Sequence, residues 1–126
     1  MRLLLDTHVL LWWLADDDKL SATARDAIGD AATQIYVSAA SAWELAIKAG
    51  LGKLTAPDDL TEQLTANSFT PLDISVIHAL AVRHLPTYHR DPFDRLLVAQ
   101  AQAEGLTLVT ADKRMKPYDV SLLDAA

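Results

Sequence analysis

Three leucines, Leu3–Leu5, run straight into a charged residue, Asp6. Similar short apolar runs return at Ile35–Val37 and Leu106–Val109, with a mixed run at Phe69–Leu72 and a weaker one at Val120–Leu123. Such runs are too short for helices and too uniformly apolar for strands with one wet face, so they read as strands covered on both sides. The stretches between them carry helical patterns. These are Val9–Leu14, the alanine-rich Ser21–Ala32, Ala39–Ala49 stopping at Gly50, Pro57–Asn67, Ile74–Leu85, and Pro92–Glu104, which Asp91 caps and Gly105 ends. Ser38 stands where the cap of the third helix belongs. Strands alternating with helices predict a parallel sheet, and right-handed crossovers make it a three-layer α/β/α sandwich. Pro71 cannot donate to a ladder, which sends the Phe69–Leu72 strand to a sheet edge.

A chain of 126 residues has room for one hydrophobic core, so a single domain over 1–126 is expected. It has no cysteine, which removes disulfides and thiolate metal sites and suits a reducing cytoplasm. The apolar opening is too brief for a signal peptide, and no run reaches membrane-spanning length. A net charge of −6 argues against holding nucleic acid by bulk phosphate attraction, although cation-masked acids would escape that objection.

In open parallel sheets the cleft lies beyond the carboxyl ends of the strands, where the winding reverses. Asp6 follows the first strand directly and Asp112 follows the fourth by three residues, so neighbouring first and fourth strands would hang both acids over one cleft. Glu44 interrupts an almost wholly apolar helix, on a face shared with Ala40, Ile47 and Leu51, and Asp94 heads a stripe of Leu97, Val98 and Ala101. Each acid also has a purely structural reading. Asp6 and Asp91 are good helix caps, and Asp94 suits a first helical turn. Glu44 has capping-box spacing from Ser41 and an i,i+4 partner in Lys48. Asp112 is a natural turn residue that the Thr110 hydroxyl could orient. Together they ask for more, because packed carboxylates repel and push one another toward protonation unless a cation intervenes. A hard divalent ion, Mg²⁺ or Mn²⁺, answers that need with oxygen ligands. It would also activate water against a phosphodiester without a protein nucleophile.

Four blocks, Leu3–Trp12, Ser38–Lys48, Arg90–Ala101 and Leu108–Asp112, resemble in sequence and order the PIN domain, and more narrowly its VapC-type toxin subgroup. The resemblance spans essentially the whole chain. It implies a five-stranded parallel sheet in the order 3-2-1-4-5 and Mg²⁺- or Mn²⁺-dependent endoribonuclease activity. It further implies a homodimer and a co-expressed VapB-type antitoxin. By motif position Asp6, Glu44, Asp94 and Asp112 would be the catalytic, metal-binding acids, with Asp91 accessory.

Basic residues gather near the acids: Arg83, His84, His89, Arg90 and Arg95, then Lys113, Arg114 and Lys116. They read either as a phosphate-contacting rim or as a solvated surface, with Arg95 the best candidate for the active edge because it adjoins Asp94. His8 reads as a satisfied structural histidine, and Trp12, Trp13 and Trp43 as core or dimer interface rather than base-stacking platforms. Other classes compete. A strand ending in Asp also opens haloacid-dehalogenase phosphatases, but these want a second acid where His8 stands. An RNA-processing nuclease outside any toxin pair would use the same chemistry, and a non-catalytic binding module would not need the full acid set.

Overall fold

The computed structural model describes residues 1–126. Five strands, β1 (Arg2–Leu5), β2 (Gln34–Ser38), β3 (Thr70–Leu72), β4 (Thr107–Thr110) and β5 (Leu122–Asp124), form one sheet in the order β3-β2-β1-β4-β5. All four pairings are parallel, as the alternation of strands and helices requires. The helices are α1 (Thr7–Leu14), α2 (Ala22–Gly29), α3 (Ala39–Gly50), α4 (Leu60–Ala66), α5 (Val76–Ala81) and α6 (Pro92–Glu104), with 3-10 turns at Val82–His84 and Lys113–Met115. No helix is long and apolar enough to cross a membrane.

Successive strand residues point to opposite faces, so the three leucines of β1 divide between two cores. Leu3 and Leu5 join Val9, Leu10, Ile28, Ile35 and Val37 on one face, while Leu4 joins Leu97, Val98, Leu108 and Met115 on the other. All three leucines are fully buried, and α3 gives Leu45 to the first core and Ala40 to the second. β3 is an edge strand with β2 as its one neighbour, so the missing N–H of Pro71 costs no ladder bond.

Several boundaries depart from the sequence expectation. The second helix ends at Gly29, because Asp30 turns to extended backbone. The fourth begins at Leu60, not Pro57: the carbonyl of Asp59 accepts the N–H of Gln63 and leaves the proline outside. Ile74–Leu85 divides into α5 and a 3-10 turn. Ser75 sets the start, its hydroxyl accepting the His78 N–H while its own N–H donates to His78 Nδ1. The last strand slides to Leu122–Asp124, where pairing with β4 sets Asp124 opposite Thr110.

α6 matches its expected limits, with Pro92 at its start, Asp91 as cap and Gly105 closing it in left-handed backbone at φ 64°. An L side chain pays about 1 kcal/mol for that conformation, so Gly105→Ala should lower Tm by about 3 °C in a thermal melt. An unchanged Tm would show that the helix end relaxes.

Candidate active site

The sheet order makes β1 and β4 neighbours, and the ladder continues one residue past β1 through the Asp6 N–H, which donates to the Val109 carbonyl at 3.1 Å. Asp6 therefore leaves the sheet beside Thr110 and the turn that carries Asp112. Its Oδ1 caps α1 by accepting the Val9 N–H at 2.8 Å, and the residue is only 5% exposed. Burial pushes its carboxyl up from the usual range, with a further push from Glu44, while Thr110, the Val9 amide and His8 ease the charged form.

Glu44 comes in from α3 and is buried despite its charge. Lys48 Nζ donates to Oε2 at 2.5 Å, and Thr7 Oγ1 gives its one proton to Oε1 at 2.6 Å while lying 3.0 Å from Ser41 Oγ. The Lys48 hydrogen bond holds that ammonium above its ordinary pKa. The i,i+4 pair of the sequence reading is thus present. The Ser41 capping box is not, since Ser38 caps α3. Nor do Ile47 and Leu51 bury the glutamate, for both are exposed; contacts from α1 enclose it instead.

α6 delivers Asp91 and Asp94. Asp91 Oδ1 accepts the N–H groups of Phe93 and Asp94. Asp94 is pushed up to about 7, first by burial and then by the charges of Asp91 and Asp6, with Glu44 adding. Asp112 moves the other way, down to about 2, because Arg114 binds both its oxygens: Nε to Oδ1 at 3.0 Å and Nη2 to Oδ2 at 2.8 Å. Thr110 Oγ1 accepts the backbone N–H of Asp112, so the threonine orients the turn and not that carboxylate.

The five carboxylates line one cavity of about 190 Å³, with Thr7, His8, Lys48 and Arg114 and no apolar residue. Lys48 and Arg114 leave its negative charge in surplus, which adds to the effect of burial on Asp94. A cluster of hard carboxylate oxygens with too few cations fits a divalent ion of the Mg²⁺ or Mn²⁺ kind.

Arg95 is not brought to this cavity. Its guanidinium turns back to the carbonyls of Val82, Leu85, Pro86 and His89 and to the Tyr118 hydroxyl, where five acceptors together engage its two terminal nitrogens. His8 is exposed and lines the cavity, contrary to its reading as a satisfied structural histidine. His89 is the reverse case: grouped with the surface bases by sequence, it is buried with Nε2 at 2.8 Å from Asp94 Oδ2 and 3.1 Å from Asp112 Oδ2. Nothing in its spacing announced this beyond its closeness to Asp91. Lys113 and Lys116 line an adjoining hollow that shares Asp112. Trp12 and Trp13 pack against the first core, whereas Trp43 is 59% exposed with its edge against Phe93.

A three-layer sheet with acids converging past its central strands defines a class, and the comparison with known proteins bears it out: the chain belongs to the PIN-domain family, whose model matches residues 3–120. It is 34% identical over 122 residues to Ribonuclease VapC22 of Mycobacterium tuberculosis, covering 91% of this chain and 90% of that one. In fold it is similar to VapBC2 from Rickettsia felis bound to a DNA fragment from its promoter, with TM-score 0.70, 19% identity and full coverage of both chains. It is also similar to DNA-bound VapBC from Salmonella typhimurium, with TM-score 0.69, 16% identity and 98% of both chains covered.

The raised carboxyls set the pH response of the ion-free protein. A carboxyl whose folded pKa lies above its unfolded value opposes folding once ionised. For Asp94 the stability is full below the ordinary pKa of 3.8 and declines as pH rises toward about 7, and Asp6 acts in the same sense. Asp112 has the opposite sign, but its contribution is lost only as pH falls from 3.8 toward about 2. Guanidinium unfolding in chelator should therefore show stability falling between pH 5 and 7.5. A rise over that interval would contradict the assigned environments.

Proposed function

We propose that residues 1–126 act as one PIN domain, a Mg²⁺- or Mn²⁺-dependent endoribonuclease, and that the protein is the toxin of a VapBC-type toxin–antitoxin pair. The observation that carries the reading is the convergence of Asp6, Glu44, Asp94 and Asp112, from four separate segments, on one wholly polar cavity. The 34% identity to a ribonuclease over most of both chains supports the substrate class.

In this reading Asp6, Asp94 and Asp112 would hold the ion through their carboxylate oxygens, and Glu44 would ligate it or orient the attacking water. When bound, such an ion supplies activation of water and neutralisation of the charge that develops on the phosphodiester. Thr7 and Lys48 fix the Glu44 carboxylate from either side, so it meets the water in one orientation. Asp91 adds negative potential and holds the start of α6, on which Asp94 rides. Arg114 and His8 stand at the cavity mouth, where a backbone phosphate would approach. Cleavage leaves a 5′-phosphate on one fragment. The ion-masked acids reconcile phosphate chemistry with a net charge of −6.

The partners follow from the same reading: RNA as substrate, a VapB-type antitoxin, and a second copy of the chain, all in the cytoplasm. Trp43, Ile47 and Leu51 leave an exposed apolar stripe along α3, and Val76, Ile77 and Leu80 leave another on α5, faces of the kind that partner proteins cover.

The test is incubation of total cellular RNA with purified protein, with Mn²⁺ or with chelator, followed by mapping of new 5′ ends. Cleavage should require the ion. Asp6→Asn keeps the cap, since asparagine caps helices as well as aspartate. It should therefore keep or raise the melting temperature while lowering cleavage by about 100-fold or more. Full activity in that variant would remove Asp6 from the mechanism, and intact RNA at every ion concentration would refute the nuclease.

A further inference from the structure

Asp94 and Asp112 belong to different elements, the first turn of α6 and the turn after β4, and one side chain touches both, hydrogen-bonded to Asp112 and in close polar contact with Asp94. The Nε2 of His89 lies 2.8 Å from Asp94 Oδ2 and 3.1 Å from Asp112 Oδ2. The other ring nitrogen identifies the tautomer. Nδ1 faces the backbone N–H of Asp91 at 3.3 Å, and an amide can only donate, so Nδ1 accepts and Nε2 carries the proton. The imidazole is therefore a neutral donor to Asp112, with Asp94 Oδ2 set against the same nitrogen.

The surroundings hold it there. The His89 side chain is 3% exposed, and its backbone N–H donates to the hydroxyl of buried Tyr118 at 3.0 Å. Arg95 Nη1 donates to the His89 carbonyl at 3.3 Å and to the Pro86 carbonyl at 2.9 Å, while Nη2 reaches Val82 at 3.0 Å. The guanidinium that faces away from the cavity thus clamps the segment that delivers the ring into it. A ring so placed is a poor general base, because one nitrogen is engaged and the other already bears a proton.

We propose that His89 is a positioning residue for the divalent ion: its Nε2, hydrogen-bonded to Asp112 and in contact with Asp94 Oδ2 at 2.8 Å, presets the gap between the two acids. This rests on the metal-dependent reading above. Two carboxylates drift apart through repulsion unless something bridges them. A lysine or arginine would bridge them but would also repel the incoming ion, whereas a neutral ring lodged against both holds the gap without adding charge. Asp94 Oδ1 has no hydrogen-bond partner in the protein and stays available as a ligand atom. Outer hydrogen bonds of this kind typically govern ion affinity by about 10- to 100-fold.

Calorimetric titration of Mn²⁺ into the purified protein reads this directly, without any nuclease assay. His89→Leu keeps the volume and removes the donor, and it should weaken Mn²⁺ binding by about 10- to 100-fold. His89→Gln restores an N–H at nearly the same reach and should recover binding to within a few-fold of the parent, a rescue that mere packing would not give. Tyr118→Phe leaves the ring intact but loosens its backbone and should fall between the two. Mn²⁺ binding in His89→Leu as tight as in the parent would overturn the proposal, showing that the ring only competes with the ion. Glutamine as weak as leucine would also overturn it, since the ring nitrogen would then be a ligand. Should His89→Leu fail to fold, parent-like affinity in Tyr118→Phe would count against the idea. A parent that binds no Mn²⁺ brings down the metal-dependent reading itself, an outcome distinct from a parent that binds and variants that do not differ.

Discussion

The lateral pairing of β1 with β4 is the contact on which the candidate site depends. Leu5 stands opposite Val109, and the next amide, that of Asp6, continues the ladder to the Val109 carbonyl. The first acid is thereby fixed beside Thr110 and the turn that bears Asp112. α3 and the start of α6 then bring Glu44, Asp91 and Asp94 to the same point. The pairing is itself secured by hydrophobic burial, since Leu3, Leu4 and Leu5 alternate between two cores and a one-residue slip would reverse all three.

The acids divide their oxygens between structure and chemistry. Asp6 Oδ1 caps α1, Asp91 Oδ1 caps α6, and Asp112 Oδ1 accepts the Arg114 N–H at the head of a 3-10 turn. For Asp6 and Asp91 the cap occupies one oxygen and leaves the second free of it, so their capping and functional readings are compatible, whereas Asp112 shares both oxygens with Arg114. The same economy makes local sequence context a poor guide to which caps matter. Asp59 stands before a helix with no side-chain cap bond and no converging acids, yet in sequence it looks much like Asp91.

Charge balance around the cavity is distributed and specific. Lys48 answers Glu44 and Arg114 answers Asp112, while Asp94 and Asp6, with no lysine or arginine on their carboxylates, are both pushed up. The opposite shifts of Asp94 and Asp112, two acids joined by one imidazole, arise because one is buried among like charges and the other lies under a two-pronged guanidinium. This asymmetry is the electrostatic character of the site.

Much of this was legible before the fold was known. Short apolar runs, Pro71, Ser38, Asp91, Pro92 and Gly105 determine strands, an edge and helix limits, because periodicity and capping act within a few residues of the chain. The four acids were visible as charges at the ends of such runs. What sequence could not decide was where long side chains turn. Arg95 follows Asp94 yet is taken by carbonyls on its other side, and His89, which looks like a surface base, is carried inward by Tyr118 and Arg95. Lengths of helices such as α4 and α5 also waited on the fold, since rival caps at Asp59 and Ser75 are settled by packing. The acids lie more than a hundred residues apart at the extremes, and only the sheet order, set by which buried strands lie side by side, brings them to one cavity.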